Sequence, residues 1–222
     1  MILITPETKL HSILDHDPNV ITVLNRFGIR LGVGDKSVGN ICSEHAIDTT
    51  FFVSILNAFV NESYFPEKVL LSVNATKIID YLKQTNANYH QFQLPNIERH
   101  FNLLIAKSNT NNNLELMLNF FIHLKKELIQ AIGYDKEHLF PFVARKADNL
   151  SANEILSHMA VFDAIEQKLS DLKSMFIIHL SGEYDENLCL AVVFAIIRLE
   201  KDIIQNNRIR TRILLPYIKS LI

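Results

Sequence analysis

Apolar residues recur along this chain at intervals of three and four, the spacing that lays a stripe down one side of a helix. Asp17-Pro18 opens a first short helix, Val20, Leu24 and Phe27 line one face of it, and Gly28 closes it. Leu31-Gly32-Val33-Gly34-Asp35 is a turn, after which Lys36 or Ser37 starts a second helix through His45. Asp48 is an N-cap for a third, which runs through Asn61 with Phe51, Ile55 and Phe59 at helical spacing. Residues 63–73 read as a linker, because Pro66 forbids a helix across it.

From Asn74 the periodic stretches lengthen. A first long helix runs to about Ser108, with Pro95 inside it and expected to kink it. Asn109-Thr110-Asn111-Asn112-Asn113 is a polar turn, and Leu114 to Ala147 forms a second helix with Pro141 near its end. Ser151-Ala152-Asn153-Glu154 is a capping box, so a third starts at Ala152 and continues to about Leu180. Ser181-Gly182-Glu183 breaks it, and a fourth fills the rest. Four helices of roughly 30 residues with short connections make an up-down-up-down bundle. The expected fold is all-α: a small N-terminal helical domain over 1–62, a linker over 63–73 and a four-helix bundle with proline kinks over 74–222.

Composition narrows the function more than the fold. At 222 residues the chain can bury a core of its own. Its net charge of -2 offers no electrostatic footprint for DNA or an anionic membrane. The two cysteines, Cys42 and Cys189, form no C-x-x-C, which excludes a disulfide scaffold and a zinc ribbon and points to a reducing cytoplasm. The N-terminus lacks the basic-then-apolar pattern of a signal peptide. The most apolar window, Leu188 to Ile197, is too short to span a bilayer and reads as a core helix.

Two segments share a skeleton. Ala131 and Asp135 stand ten and six residues before Pro141, and Asn206 and Arg210 stand ten and six before Pro216. Residues four apart stack on one helix face. A bundle that holds two metal ions would place a His and a carboxylate at such a pair, aimed into its centre.

With these segments in order, the chain resembles the hemerythrin-like di-iron proteins that repair iron–sulfur clusters. Arg26-Phe27-Gly28-Ile29-Arg30-Leu31-Gly32-Val33 fits the frame of that family's N-terminal domain, with Gly32 and Val33 where the family carries two cysteines. Thr85 to Pro95 resembles the end of its first bundle helix, and Phe162-Asp163-Ala164-Ile165-Glu166-Gln167-Lys168-Leu169 resembles its third. The resemblance implies ligand positions at Asn86 or Ala87, Ala131, Asp135, Phe162, Asn206 and Arg210, where a single carboxylate survives. His90, His123, His138 and His158 lie within a turn or two of those positions and are the candidates to rescue a metal site. In place of metal, an Asp135–Arg210 ion pair is expected at the bundle centre, with Asn206 as a further hydrogen-bonding partner. The plainer alternative makes Arg208, Arg210 and Arg212 one solvated face.

Other constellations carry less. His123-Leu124-Lys125-Lys126 resembles a phosphotransfer histidine, but Phe120-Phe121-Ile122 crowds it. Gly32-Val33-Gly34-Asp35-Lys36 lacks the spacing of a phosphate loop. The function expected is therefore a metal-free, non-enzymatic interaction or regulatory module in stress response or iron homeostasis, with no cofactor and an unidentified protein partner. A second reading is a working di-iron protein that repairs clusters or handles nitric oxide or oxygen. A third is a DNA-associated regulator acting through the N-terminal helices. A homodimer is expected from the aromatics Phe51, Phe52, Phe59 and Phe65 of the small domain.

Overall fold

Three prolines set the character of the long helices. In the computed structural model, which describes residues 3–108, 113–144 and 150–221, each is preceded by a π-helical turn: Tyr89–Gln93 before Pro95, Asp135–Leu139 before Pro141 and Arg210–Leu214 before Pro216. Proline has no N–H to return to the carbonyl four residues back, and its ring crowds that carbonyl. The chain widens locally instead. The N–H groups of Leu94, Phe140 and Leu215 bond to the carbonyls five back, those of Tyr89, Asp135 and Arg210. The kinks expected at the prolines are therefore one-turn π-bulges, after which α-helix resumes with proline in its first turn.

The regular elements among the described residues are all helices, with one isolated bridge pair, Lys9 and Ser37. The helices are α1 Leu10–His16, α2 Val20–Arg26, α3 Val38–Glu44, α4 Thr49–Val60, α5 Glu67–Ser72, α6 Ala75–Asn88, α7 Leu94–Ala106, α8 Leu114–Tyr134, α9 Phe140–Val143, α10 Ala152–Ser174, α11 Glu186–Ile209 and α12 Leu215–Lys219. None is long and apolar enough to cross a membrane. The chain forms two compact units, Met1–Gln84 with Arg208–Leu221, and Thr85–Asn207.

The first unit begins with α1, which the sequence reading did not expect, and α2 starts at Val20 and not at Asp17-Pro18; neither has a side-chain cap, whereas the next two helices do. Ser37 accepts from the Asn40 N–H and Asp48 from the Phe51 N–H, each satisfying a donor at a helix start. Gly28, Gly32 and Gly34 carry the positive φ angles that end α2 and form the turn after it. The 63–73 stretch, expected as a linker, holds α5, which starts directly after Pro66 and buries Leu70. A proline at a helix start costs nothing there, which is why it failed as a sign of linker. Phe27 packs edge-on against Phe51 and Phe52, and Arg26 donates to the Tyr81 hydroxyl. Phe51, Phe52 and Phe59 are buried within this unit and supply no exposed dimer face.

Arg208 and Arg212 belong to this unit and correct the idea of one solvated arginine face. Arg208 donates to the carbonyls of Ala58, Asn61 and Tyr64, filling acceptors that the end of α4 leaves open. Burial, then repulsion from Arg212, holds its pKa below the usual arginine value. Arg212 lies over Phe65 and pairs with Glu67, while Arg210 is only 2% exposed. The three side chains go three ways.

In the second unit, α7, α8, α10 and α11 contribute to one apolar core. Phe101 stacks on Phe121 and lies 5.3 Å from Phe176, and Leu128, Leu169 and Leu199 are fully buried around them. The Ser151–Glu154 capping box is present, and α10 runs to Ser174 before a π-turn at Met175–His179. Gly182, at φ +83°, makes the expected break. Asn113 ties the start of α8 to the His179 carbonyl and the Ser181 N–H. The rest of the expected asparagine turn, and the expected helix end at Ala147, lie outside the described residues.

Candidate functional site

Asp135 is the natural centre from which to read the second unit. It is fully buried, at the first position of the π-turn that follows α8. Its Oδ2 accepts from Asn86 Nδ2 on α6 at 2.8 Å, and its Oδ1 from His158 Nε2 on α10 at 2.7 Å. Because a carboxylate only accepts, the proton of this second bond sits on Nε2. Both partners are themselves buried, so the three polar side chains meet away from solvent. A buried carboxylate left alone would cost several kcal/mol, and two N–H donors are what make its position tenable.

A second polar network lies on α11. Asp202, also fully buried, accepts from Gln93 Nε2 at 2.8 Å and from Asn206 Nδ2 at 3.0 Å. Asn206 Nδ2 further serves the Tyr89 hydroxyl and the Asp202 carbonyl, while its Oδ1 is buried without a hydrogen bond. Asn207 donates to the Phe162 carbonyl and to Glu166.

The residues singled out by sequence fall into distinct places. Asn86 and Asp135 are brought together; Ala87 is half-buried and Ala131 is buried in the apolar core. Phe162 is buried in the same core and meets the His158 ring edge-on at 5.4 Å. Asn206 does not act as the further partner of Asp135: its bonds go to Tyr89 and Asp202, because the amide, one turn along the same helix, reaches Asp202 first. Among the four rescue histidines, His90, His123 and His138 are exposed; His123 bonds the Asn119 carbonyl and the His138 ring lies tilted against Tyr134, 4.9 Å away. Only His158 faces inward, and it serves Asp135 as a donor.

This donor set does not fit a pair of bridged metal ions. Ala131 and Phe162 have no lone pair to give, and both oxygens of Asp135 already accept N–H bonds. Among the described residues no three His, Cys, Asp or Glu side chains converge. Sequence reasoning missed Asp202, Tyr89 and the role of His158. Asp202 had a signal: an acid on the apolar face of α11, four residues before Asn206. Tyr89 had another, since Thr85 and Tyr89 stand ten and six before Pro95 and repeat the skeleton a third time, both buried.

Beside His158 a groove of about 680 Å³ opens between α8 and α10. Tyr134 lines it with its ring tilted 34° to that of His158, 4.4 Å away, and its hydroxyl is buried without a hydrogen-bond partner. Burial, with a smaller contribution from Glu154, raises the Tyr134 pKa above the ordinary tyrosine value. Protein-family models, curated proteins and solved structures return no match to this chain.

Proposed function

We propose that this protein is a metal-free relative of the hemerythrin-like iron–sulfur cluster repair proteins, acting as an interaction or regulatory module in stress response or iron homeostasis. In this reading α7, α8, α10 and α11 are the helices of an up-down-up-down bundle. The observation that carries it is the buried hydrogen-bonded triad at Asp135. Where the resemblance implies a carboxylate bridging two ions, this chain spends both carboxylate oxygens on the Asn86 amide and the His158 ring. Hydrogen bonding then fixes the helices that metal would otherwise join. The Asp135–Arg210 ion pair and the homodimer belong to the same proposal. A double-mutant cycle on the pair tests the first and sedimentation of the purified protein the second.

Metal analysis of protein purified without chelator tests the main claim. Less than a tenth of an equivalent of iron, zinc or manganese per chain is the expected result. Two equivalents of iron that leave with a loss of helix would overturn it in favour of the di-iron reading.

A further inference from the structure

The groove along the α8–α10 seam has a mixed lining, in which Ala131, Val161 and Ala164 supply apolar surface beside polar side chains. The direction of the seam follows from two contacts: the Tyr134 ring packs against that of His158, while Glu127 pairs with Lys168. The helices therefore run antiparallel, with Glu154, Tyr134 and His158 at one end and Glu127 with Ala164 at the other.

The first end holds unspent acceptors. His158 donates from Nε2 to Asp135; in that tautomer Nδ1 carries a lone pair, and it has no described partner. The Tyr134 hydroxyl is buried and unpartnered. Glu154 uses Oε2 for the Ser151 N–H and hydroxyl, and its Oε1 is not engaged. The Ser151 bonds hold the Glu154 carboxyl below its usual range, so it carries charge at neutral pH. No lysine or arginine lines the groove among the described residues, and at its other end Lys168 already answers Glu127.

We infer that this groove binds a small aliphatic amine, its ammonium head held by Glu154, His158 Nδ1 and the Tyr134 hydroxyl, and its hydrocarbon tail laid over Ala131, Val161 and Ala164. An ammonium has three N–H donors and no acceptor, which matches three acceptors and no cation. An anion meets the Glu154 charge unanswered. A neutral alcohol of the same length satisfies the apolar lining but not the carboxylate. The groove volume lies in the range of small-molecule sites, with room for a chain of a few carbons and its head. The inference does not rest on the proposed function, since it uses neither a metal nor its absence.

The test titrates the full chain with 1-aminopentane, 1-pentanol and pentanoate, following the His158 ring proton resonances. Saturable shifts with 1-aminopentane are expected, with the alcohol at least tenfold weaker and pentanoate without effect. Glu154→Gln keeps the capping box, because glutamine fills that position as glutamate does, and removes only the charge. It should weaken amine binding about tenfold, the equivalent of one charge-assisted hydrogen bond. Tyr134→Phe should weaken it less, and Glu115→Gln, on the outer side of α8, should change nothing. Equal binding of amine and alcohol would make the site merely apolar and overturn the inference. So would an unaltered affinity in the Glu154→Gln protein, an equal loss in Glu115→Gln, or no saturable shift at all.

Discussion

The second unit buries two carboxylates completely, and they are held in opposite ways. Asp135 takes its donors from two other helices, α6 and α10, 49 and 23 residues away in the chain. Asp202 takes one from Asn206, a single turn along its own helix, and one from Gln93. The first is a tertiary clamp: remove the carboxylate and α6, α8 and α10 lose a common point. The second is half local, because the Asp202–Asn206 bond survives in any conformation that keeps α11 helical. A buried polar residue thus does more for the arrangement of helices when its partners are far off in sequence, since only the folded chain can bring them together.

The comparison breaks or holds first on stability. Asp135→Ala should lower the unfolding free energy in urea by about 3–5 kcal/mol, since it strands the Asn86 amide and the His158 ring in the interior. Asp202→Ala should cost less, about 1–3 kcal/mol, as the amides of Asn206 and Gln93 keep other acceptors. The reverse order would show that the Asp135 triad is not the clamp. A double-mutant cycle between Asp135 and His158 sharpens the point, with a coupling of about 2 kcal/mol expected against less than about 0.5 kcal/mol for Asp202 with His158.

Smaller effects follow from single groups. Tyr134→Phe should change stability by no more than about 0.5 kcal/mol near neutral pH, since the hydroxyl it deletes has no partner. The folded state raises this phenol's pKa, so its contribution is whole below the ordinary value of about 10 and is lost as pH climbs through the higher folded value. Alkaline melting curves should therefore flatten in the Phe variant. In the first unit, the Lys77 ammonium and the Phe51 N–H hold the Asp48 pKa low. Its contribution is present above the usual aspartate range and lost as pH falls through the lower folded value. The pair is solvent-exposed, so Lys77→Ala should cost only about 0.2–1 kcal/mol, and less in high salt. An acid-titrated stability curve of the Lys77→Ala protein, shallower than that of the parent, checks the sign.

Parts of the site were legible in the residues and parts were not. The repeated spacing before Pro141 picked out Ala131 and Asp135, and both are buried. Asn86 was named as one of two options, and it is the one that reaches Asp135. His158 stood among four histidines with nothing local to set it apart, because what selects it is the crossing of α10 over α8. The spacing before Pro216 drew Asn206 toward Asp135 by analogy, while its own turn of helix held a nearer acid. The π-turns explain why analogy by spacing worked at all: each begins at the residue six before its proline.

By itself the sequence determined the all-helical character, the caps at Asp48 and Ser151, the break at Gly182 and the sites where proline disturbs a helix. Those are decided within a turn or two of chain, by hydrogen bonds a residue makes or cannot make with its neighbours. Only the tertiary structure decided which histidine meets Asp135, that α5 follows Pro66 with Leu70 in the core, and that a groove stays open between α8 and α10. Such outcomes depend on which surfaces pack together, and the residues that settle them are tens of positions apart and carry no periodic sign of one another.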